Sequence, residues 1–241
     1  MACQLIPSSA CVSRYGRMWL MRIVSGSVAA SFVLGLAVVA VPVHAVAAER
    51  GGSYPRNVRQ VLTVTAASSS TTYATFRAYQ LSNGHKVRVF GPWTARVGYN
   101  GIAAPGQKRE GDGRTPSGTY GFSFYFGVKP GKGFSFPFRH AYRYDYWDDD
   151  STSARYNEWV DARRHDPGAN PEPMHNVPAY DYAAVIAYNT ARTPGLGSAI
   201  FLHVGTGSAT AGCVSLPRAE LLKVLHWMRP HDHPKITITA R

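Results

Sequence analysis

Seven short runs rich in Val, Ile, Thr, Tyr and Phe, each closed off by turn residues, decide the fold class. They are VLTVT (61–65), TTYATFRAYQ (71–80), KVRVF (86–90), TYGFSFYF (119–126), AAVIAYN (183–189), AIFLHV (199–204) and KITIT (235–239). Several alternate apolar and polar residues in period two, the mark of strands with one buried face. SNGH (82–85) and GDGR (111–114) supply turns between them. One segment has the helical period instead. PRAELLKVLHWM (217–228) opens on a proline, which a first helical turn accepts, and places Leu221, Leu222, Leu225 and Met228 on one face before Pro230 and Pro234 end it. No fixed repeat interrupts this pattern. The expectation is a mainly β domain of mixed sheets with one C-terminal helix and one long excursion loop, residues 143–180. A loop of that length in a compact domain serves as a lid or as the wall of a cleft.

The first 47 residues read as a separate leader. Arg14, Arg17 and Arg22 precede an apolar run from Ile23 to Val43, and the small residues of VHAVAAE (43–49) follow. Cleavage after Ala45 or Ala47 fits a secretory signal, with Met18 and Met21 as alternative starts. A run of about 20 residues also suffices for a retained anchor, although Ser25, Gly26, Ser27, Ser31 and Gly35 dilute it. Under either reading the remainder is exported: a polar linker over 48–60, then a folded domain over 61–241. The chain has 26 basic and 14 acidic side chains. With three basic residues in the leader and no acidic one, the exported part keeps 23 against 14, a net of +9. Such a charge suits anionic cell-wall polymers or simply a soluble surface. Export argues against nucleic acid as partner, and a membrane is a partner only if the leader is retained.

Export also makes one thiol conspicuous. Of three cysteines, Cys3 and Cys11 lie in the leader, which leaves Cys213 with no partner in its own chain. It stands in FLHVGTGSATAGCVSLP (201–217), ten residues after His203. An unpaired cysteine in an oxidising compartment is a reactive thiol, one half of an intermolecular bridge, or a small buried hydrophobe. A strand ending at His203, a glycine-rich bend, and a helix starting just past Cys213 favour the first. The imidazole eases thiol ionisation, and main-chain amides at Gly212 and Cys213 can face a developing oxyanion. A second segment, KREGDGRTPSGTYGF (108–122), carries Thr115, Pro116 and Gly118 in a turn that leads into a strand.

Together these segments resemble the L,D-transpeptidase (YkuD-like) family of peptidoglycan-modifying enzymes. Thr115, Pro116 and Gly118 match its TPxG-type turn, His203 its histidine-ended strand, and Thr210, Gly212 and Cys213 its (S/T)-x-G-C segment. YNEWV (156–160) and AYN (187–189) also look like segments of some members. The resemblance spans roughly residues 61 to 240. It implies a YkuD-like β-sandwich with Cys213 as nucleophile and His203 as general base, and neither metal nor cofactor. Thr210, Gly205 and Ser215 become neighbouring substrate-contacting positions. The substrate it implies is a peptidoglycan stem peptide: Cys213 attacks the carbonyl before the terminal D-alanine of a tetrapeptide stem and forms a thioester. An amine then gives a 3→3 cross-link, or water gives carboxypeptidase activity. Carbapenem acylation of the thiol is implied as well. The histidine has no carboxylate placed to orient it, so a backbone carbonyl is the expected acceptor. There are departures. Val204 stands between His203 and Gly205 where many members have His-Gly, Ala211 replaces a His or Lys, and Ser215 replaces an Arg or Asn.

Two other readings compete. Zinc bound by His226, His231 and His233 with Cys213 fits no familiar ligand spacing. A cell-wall binding module that has lost catalysis fits the atypical residues around Cys213. Sortases place the pair much farther apart, and NlpC/P60 peptidases reverse its order.

Overall fold

The computed structural model describes residues 49–50, 54–83 and 85–241. The leader over 1–47 and part of the linker lie outside the described residues. Strand exceeds helix, 39% to 7%, so the mainly β expectation holds.

The first half of the chain contributes β1 (Glu49–Arg50), β2 (Gln60–Ala66), β3 (Tyr73–Ser82), β4 (His85–Arg96), β5 (Ile102–Ala103), β6 (Thr115–Pro116), β7 (Gly118–Tyr120) and β8 (Phe122–Gly127). There follow β9 (Phe138–His140), β10 (Asp145–Trp147), β11 (Trp159–Asp161), β12 (Glu172–Pro173), β13 (Ala183–Ile186), β14 (Phe201–Val204), β15 (Val214–Leu216), helix α1 (Arg218–Trp227) and β16 (Lys235–Ala240). The principal sheet runs β7-β16-β2-β3-β4-β15-β14-β13-β8-β9, with β1 added against β4. It is mixed: β16 lies parallel to β2, and β15 parallel to β14, among antiparallel neighbours.

Gly121 shows how this sheet closes. It alone separates β7, at one end of the strand order, from β8, next to last at the other. One residue spans only about 3.5 Å, so the two ends must come together and the sheet must curl. Inside the curl lies the main core, where Leu62, Val64, Phe76, Leu202, Val214 and Leu216 meet the buried face of α1. That face is Leu221, Val224, Leu225 and Met228. The expected stripe included Leu222, which is only half-buried; Val224, one helical turn before Met228, takes its place.

The opposite face of β8, β13 and β14 carries a second core of Phe126, Ala183, Val185 and Phe201, extended by Trp147, Met174 and Tyr180 of the excursion. That segment is not a bare loop. It builds a small sheet in the order β11-β10-β12 and rests on aromatic edge-to-face contacts, with Trp147 and Tyr180 both against Phe201. Among the described residues no helix is long and apolar enough to cross a membrane.

Helix burial sets a stability prediction. Leu225→Ala is expected to cost roughly 2–5 kcal/mol, as deletions of fully buried leucines do, whereas Leu222→Ala costs about 1 kcal/mol or less. Urea unfolding of both variants checks the ranking, and equal losses would contradict this orientation of the helix.

Candidate active site

The site is built on two adjacent parallel strands. β14 pairs with β15 as Leu202↔Val214, His203↔Ser215 and Val204↔Leu216. Alternation sends Leu202, Val204, Val214 and Leu216 into the main core. The intervening residues face the other way, so His203 lies on the side where Phe201 and Cys213 belong to the second core. Both candidate catalytic residues are nearly enclosed, Cys213 at 7% and His203 at 8% exposure. They line one cavity of about 560 Å³, walled by the excursion through Asp149, Glu172 and Tyr180. The excursion is thus a cleft wall, one of the two roles expected of it.

Four polar contacts define the surroundings of Cys213, two at the sulfur and two at its carbonyl. Its S–H donates to Ala199 O at 3.2 Å, and the sulfur accepts the Phe201 N–H at 3.3 Å. Its own carbonyl is gripped by two hydroxyls, Thr115 Oγ1 at 3.1 Å and Thr210 Oγ1 at 2.7 Å. Thr115 also accepts the Gly98 N–H at 2.9 Å, which ties the turn before β7 to the end of β4. Gly212 has φ +155, and a Cβ there would lie 3.1 Å from Arg114 O. Only glycine fits both that backbone and that neighbour.

The orienting acceptor for His203 is the Val204 carbonyl, 2.9 Å from Nδ1. A carbonyl can only accept, so Nδ1 carries the proton and Nε2 is left as the basic nitrogen. The Tyr180 ring meets the imidazole edge-on at 5.5 Å between centroids.

Burial holds this pair neutral. It pushes the Cys213 thiol up to about 12, with Glu172 and Asp149 adding to the effect and the Phe201 N–H and Lys108 opposing it. Burial likewise drives His203 down to about 4 against the pull of the Val204 and Ala179 carbonyls. The resting site is a thiol and a neutral imidazole, not an ion pair.

Several expected contacts fall elsewhere. The Gly212 N–H, assigned to an oxyanion, donates to Thr210 Oγ1 at 3.2 Å, which tightens the bend before Cys213. Thr210 lines the cavity, but its hydroxyl is occupied by the Cys213 carbonyl. Ser215 and Gly205 do not line the cavity. Ser215 sits two residues deeper along β15 at 2% exposure, and a Cβ on Gly205 would come within 3.4 Å of its Oγ. His226 packs on the Phe134 ring at 4.8 Å, and none of the three C-terminal histidines reaches the cavity with Cys213.

The carboxylates of the cavity were not singled out from sequence. Glu110 precedes β6 while Asp149 and Glu172 stand 23 residues apart in the excursion, and the three meet only in the fold. Ser198 Oγ lies 2.6 Å from Glu110 Oε2 and 2.7 Å from Asp149 Oδ1. A hydroxyl has one proton, so the second contact requires a carboxyl proton. Burial and the neighbouring charges of Glu110, Glu172 and Asp148 raise Asp149 to about 7, against the Ser198 hydrogen bond. Among the described residues that line the cavity, the cation is Lys108, engaged by Asp112 at 2.6 Å and Arg109 O at 2.7 Å. Asn157 and Asn189, within YNEWV and AYN, were quoted without a role; both have positive φ, 60° and 46°. Asn157 Oδ1 accepts from Trp147 Nε1 at 2.8 Å and from the Ala199 N–H at 3.3 Å. Asn189 Nδ2 donates to Thr193 O and Gly197 O, each at 3.0 Å, and shapes the approach to β14.

A buried thiol and an imidazole on one face of neighbouring strands, opening on a shared cavity, are the equipment of cysteine acyl transfer. The sequence model of the YkuD family, the L,D-transpeptidase catalytic domain, matches residues 69–238. The chain belongs to this family, whose members act on peptidoglycan stem peptides, and L,D-transpeptidase activity comes with it. No curated protein and no solved structure matches the chain.

A pH prediction follows from Asp149. Its carboxyl titrates near 7 when folded, against 3.8 for the ordinary group. Favourable in its protonated form, it adds stability that is fully present below the ordinary value and lost as pH rises through 7. Asp149→Asn should therefore raise the melting temperature more at pH 8 than at pH 5. A gain independent of pH would count against a shared carboxyl proton.

Proposed function

We propose that this chain is an exported cysteine acyltransferase that acts on peptidoglycan stem peptides through Cys213, with His203 as general base. One observation carries the reading: thiol and imidazole share a face of β14 and β15 at one cavity. Because the pair is neutral at rest, His203 Nε2 takes the thiol proton as sulfur attacks the stem carbonyl. The carbonyl π electrons move to oxygen, and the Cys213 N–H is the main-chain donor assigned to it. Collapse of the tetrahedral adduct breaks the C–N bond, His203 returns its proton to the leaving D-alanine amine, and a thioester remains. An amine of a neighbouring stem then displaces the sulfur to form a 3→3 cross-link; water in its place gives carboxypeptidase activity. Glu110, Asp149 and Glu172 support an amine-bearing substrate, since an ammonium group offsets half-buried carboxylates whose neighbouring Lys108 is engaged by Asp112. The proposed location is the cell wall or the space outside the cytoplasmic membrane, where the net positive charge suits anionic polymers.

The test is turnover of a tetrapeptide-stem muropeptide read by mass. Cys213→Ser should abolish it, and His203→Ala should lower it by about 10² to 10⁴, both with melting temperatures close to wild type. Turnover that survives Cys213→Ser would sink the cysteine mechanism, and no turnover by wild type would leave a cell-wall binding module.

Thiol chemistry gives an independent check. With the thiol raised to about 12, iodoacetamide labelling of Cys213 should climb with pH from neutral upward without a plateau near pH 7. A plateau there would reveal a preformed thiolate. A carbapenem should add one adduct to wild type and none to Cys213→Ala, and equal adducts on both would exclude the thiol as its target.

A further inference from the structure

Ser215 carries a cost with no structural return. It is 2% exposed, and its Oγ is buried without a hydrogen-bond partner. Such orphaned hydroxyls are rare in folded proteins and lower stability, so an alanine would be the better residue for packing alone. Its position suggests what the hydroxyl does. Ladder register sets His203 beside Ser215 on β14, and Arg96 beside it on β4. Ala95 and Val97 point into the main core, as do Val214 and Leu216. Arg96, Ser215 and His203 therefore form one row on the face that bears Cys213. The ends of the row are fixed. The Arg96 guanidinium donates to Gly207 O and Thr72 Oγ1, both at 3.0 Å, and lies 3.8 Å from the Tyr73 ring. His203 is held through Nδ1 by Val204 O. Ser215 alone can turn without giving up a bond.

We propose that Ser215 is a positioning residue for His203: its hydroxyl turns its oxygen toward the imidazolium that forms when His203 takes the Cys213 proton. The inference rests on the acyl-transfer reading above. In that step the S–H bond breaks, its electron pair becomes the new C–S bond, and the proton resides on Nε2 until the leaving amine collects it. A positive charge thus appears in an enclosed place. Arg96 shares the row of His203, and the Tyr180 ring packs against the imidazole. Burial opposes the charge. The Val204 and Ala179 carbonyls favour it but are fixed in the backbone. Neighbouring strands lie about 4.8 Å apart, so the two side chains are adjacent in the row, and the hydroxyl can rotate to lend its dipole at no cost in broken hydrogen bonds.

The experiment compares wild type, Ser215→Ala, Ser215→Thr and Ser215→Val for melting temperature, kcat and KM on the tetrapeptide muropeptide. Thr and Val share a shape and differ in the hydroxyl, so their ratio isolates it even if both are strained. The expected result is that Ser215→Ala melts no lower than wild type, yet its kcat falls about tenfold or more with KM unchanged. Its acid limb of kcat/KM should move to lower pH, because an imidazolium without the hydroxyl gives up its proton more readily. Thr should exceed Val in kcat by a similar factor. Equal kcat for Thr and Val, or an unshifted acid limb in Ser215→Ala, overturns the proposal while leaving the thioester mechanism standing. Absence of Cys213-dependent turnover in wild type overturns both.

Discussion

Everything at this site depends on the grip of two hydroxyls on one carbonyl. Thr115, 98 residues away in sequence, and Thr210 both donate to Cys213 O. Each bond adds only about 1 kcal/mol net, but an orphaned buried carbonyl would cost about 1–3 kcal/mol, so the two act mainly by deciding how the peptide lies. With that plane fixed, Val214 enters β15 opposite Leu202, and Cys213 falls on the His203 face. A half-turn of the same peptide would send the thiol elsewhere. The TPxG turn thus matters less as a turn than as the hydroxyl that reaches across to Cys213. Gly118, at φ +139 with Tyr120 Oη 2.5 Å from where a Cβ would sit, lets the chain leave that contact and enter β7.

Electrostatics then makes activation conditional. With the thiol near 12 and the imidazole near 4, moving the proton between them at rest costs roughly 10 kcal/mol before mutual attraction is counted. Both shifts favour the neutral pair at rest, and in the proposed mechanism proton transfer accompanies attack on a bound carbonyl. The carboxylates act in the same direction. Burial keeps the thiol protonated and Glu172 and Asp149 add to it; in the proposed mechanism an ammonium group against these carboxylates would weaken that addition.

How much of this was legible follows from which forces are local. Strands β2, β3 and β16 announce themselves because one buried face leaves a period-two trace, while β14, buried on both faces, reads as a short apolar run. The helix was readable too, but its stripe was misjudged by one residue, since Leu222 is apolar yet lies about 100° round the helix from Leu221. The small sheet of the excursion left no trace. Its strands are two or three residues long and are held by Trp147, Trp159 and Tyr180 packing on distant rings. Cys213 and His203 were found by chemical type. The orienting carbonyl was reached by elimination, as no carboxylate was placed for the task. Glu110, Asp149, Glu172 and the role of Thr115 were out of reach, because only the closed fold brings those segments to one place.

Ala199 shows that the excursion belongs to the thiol's scaffold. It has φ +51, a left-handed conformation that strains a residue with a Cβ by about 1–3 kcal/mol and persists only where surroundings enforce it. Here the enforcement is visible on both sides. Its N–H is taken by Asn157 Oδ1, which also receives Trp147 Nε1, and its carbonyl receives the Cys213 S–H. An unbroken line of hydrogen bonds therefore runs from Trp147 and Asn157 of the excursion to the sulfur. Without Asn157 the peptide at Ala199 is free to relax toward ordinary φ, and the acceptor that aims the thiol turns away with it. The asparagine that looked like a bystander in YNEWV thus fixes, through one strained alanine, the direction in which the resting thiol points.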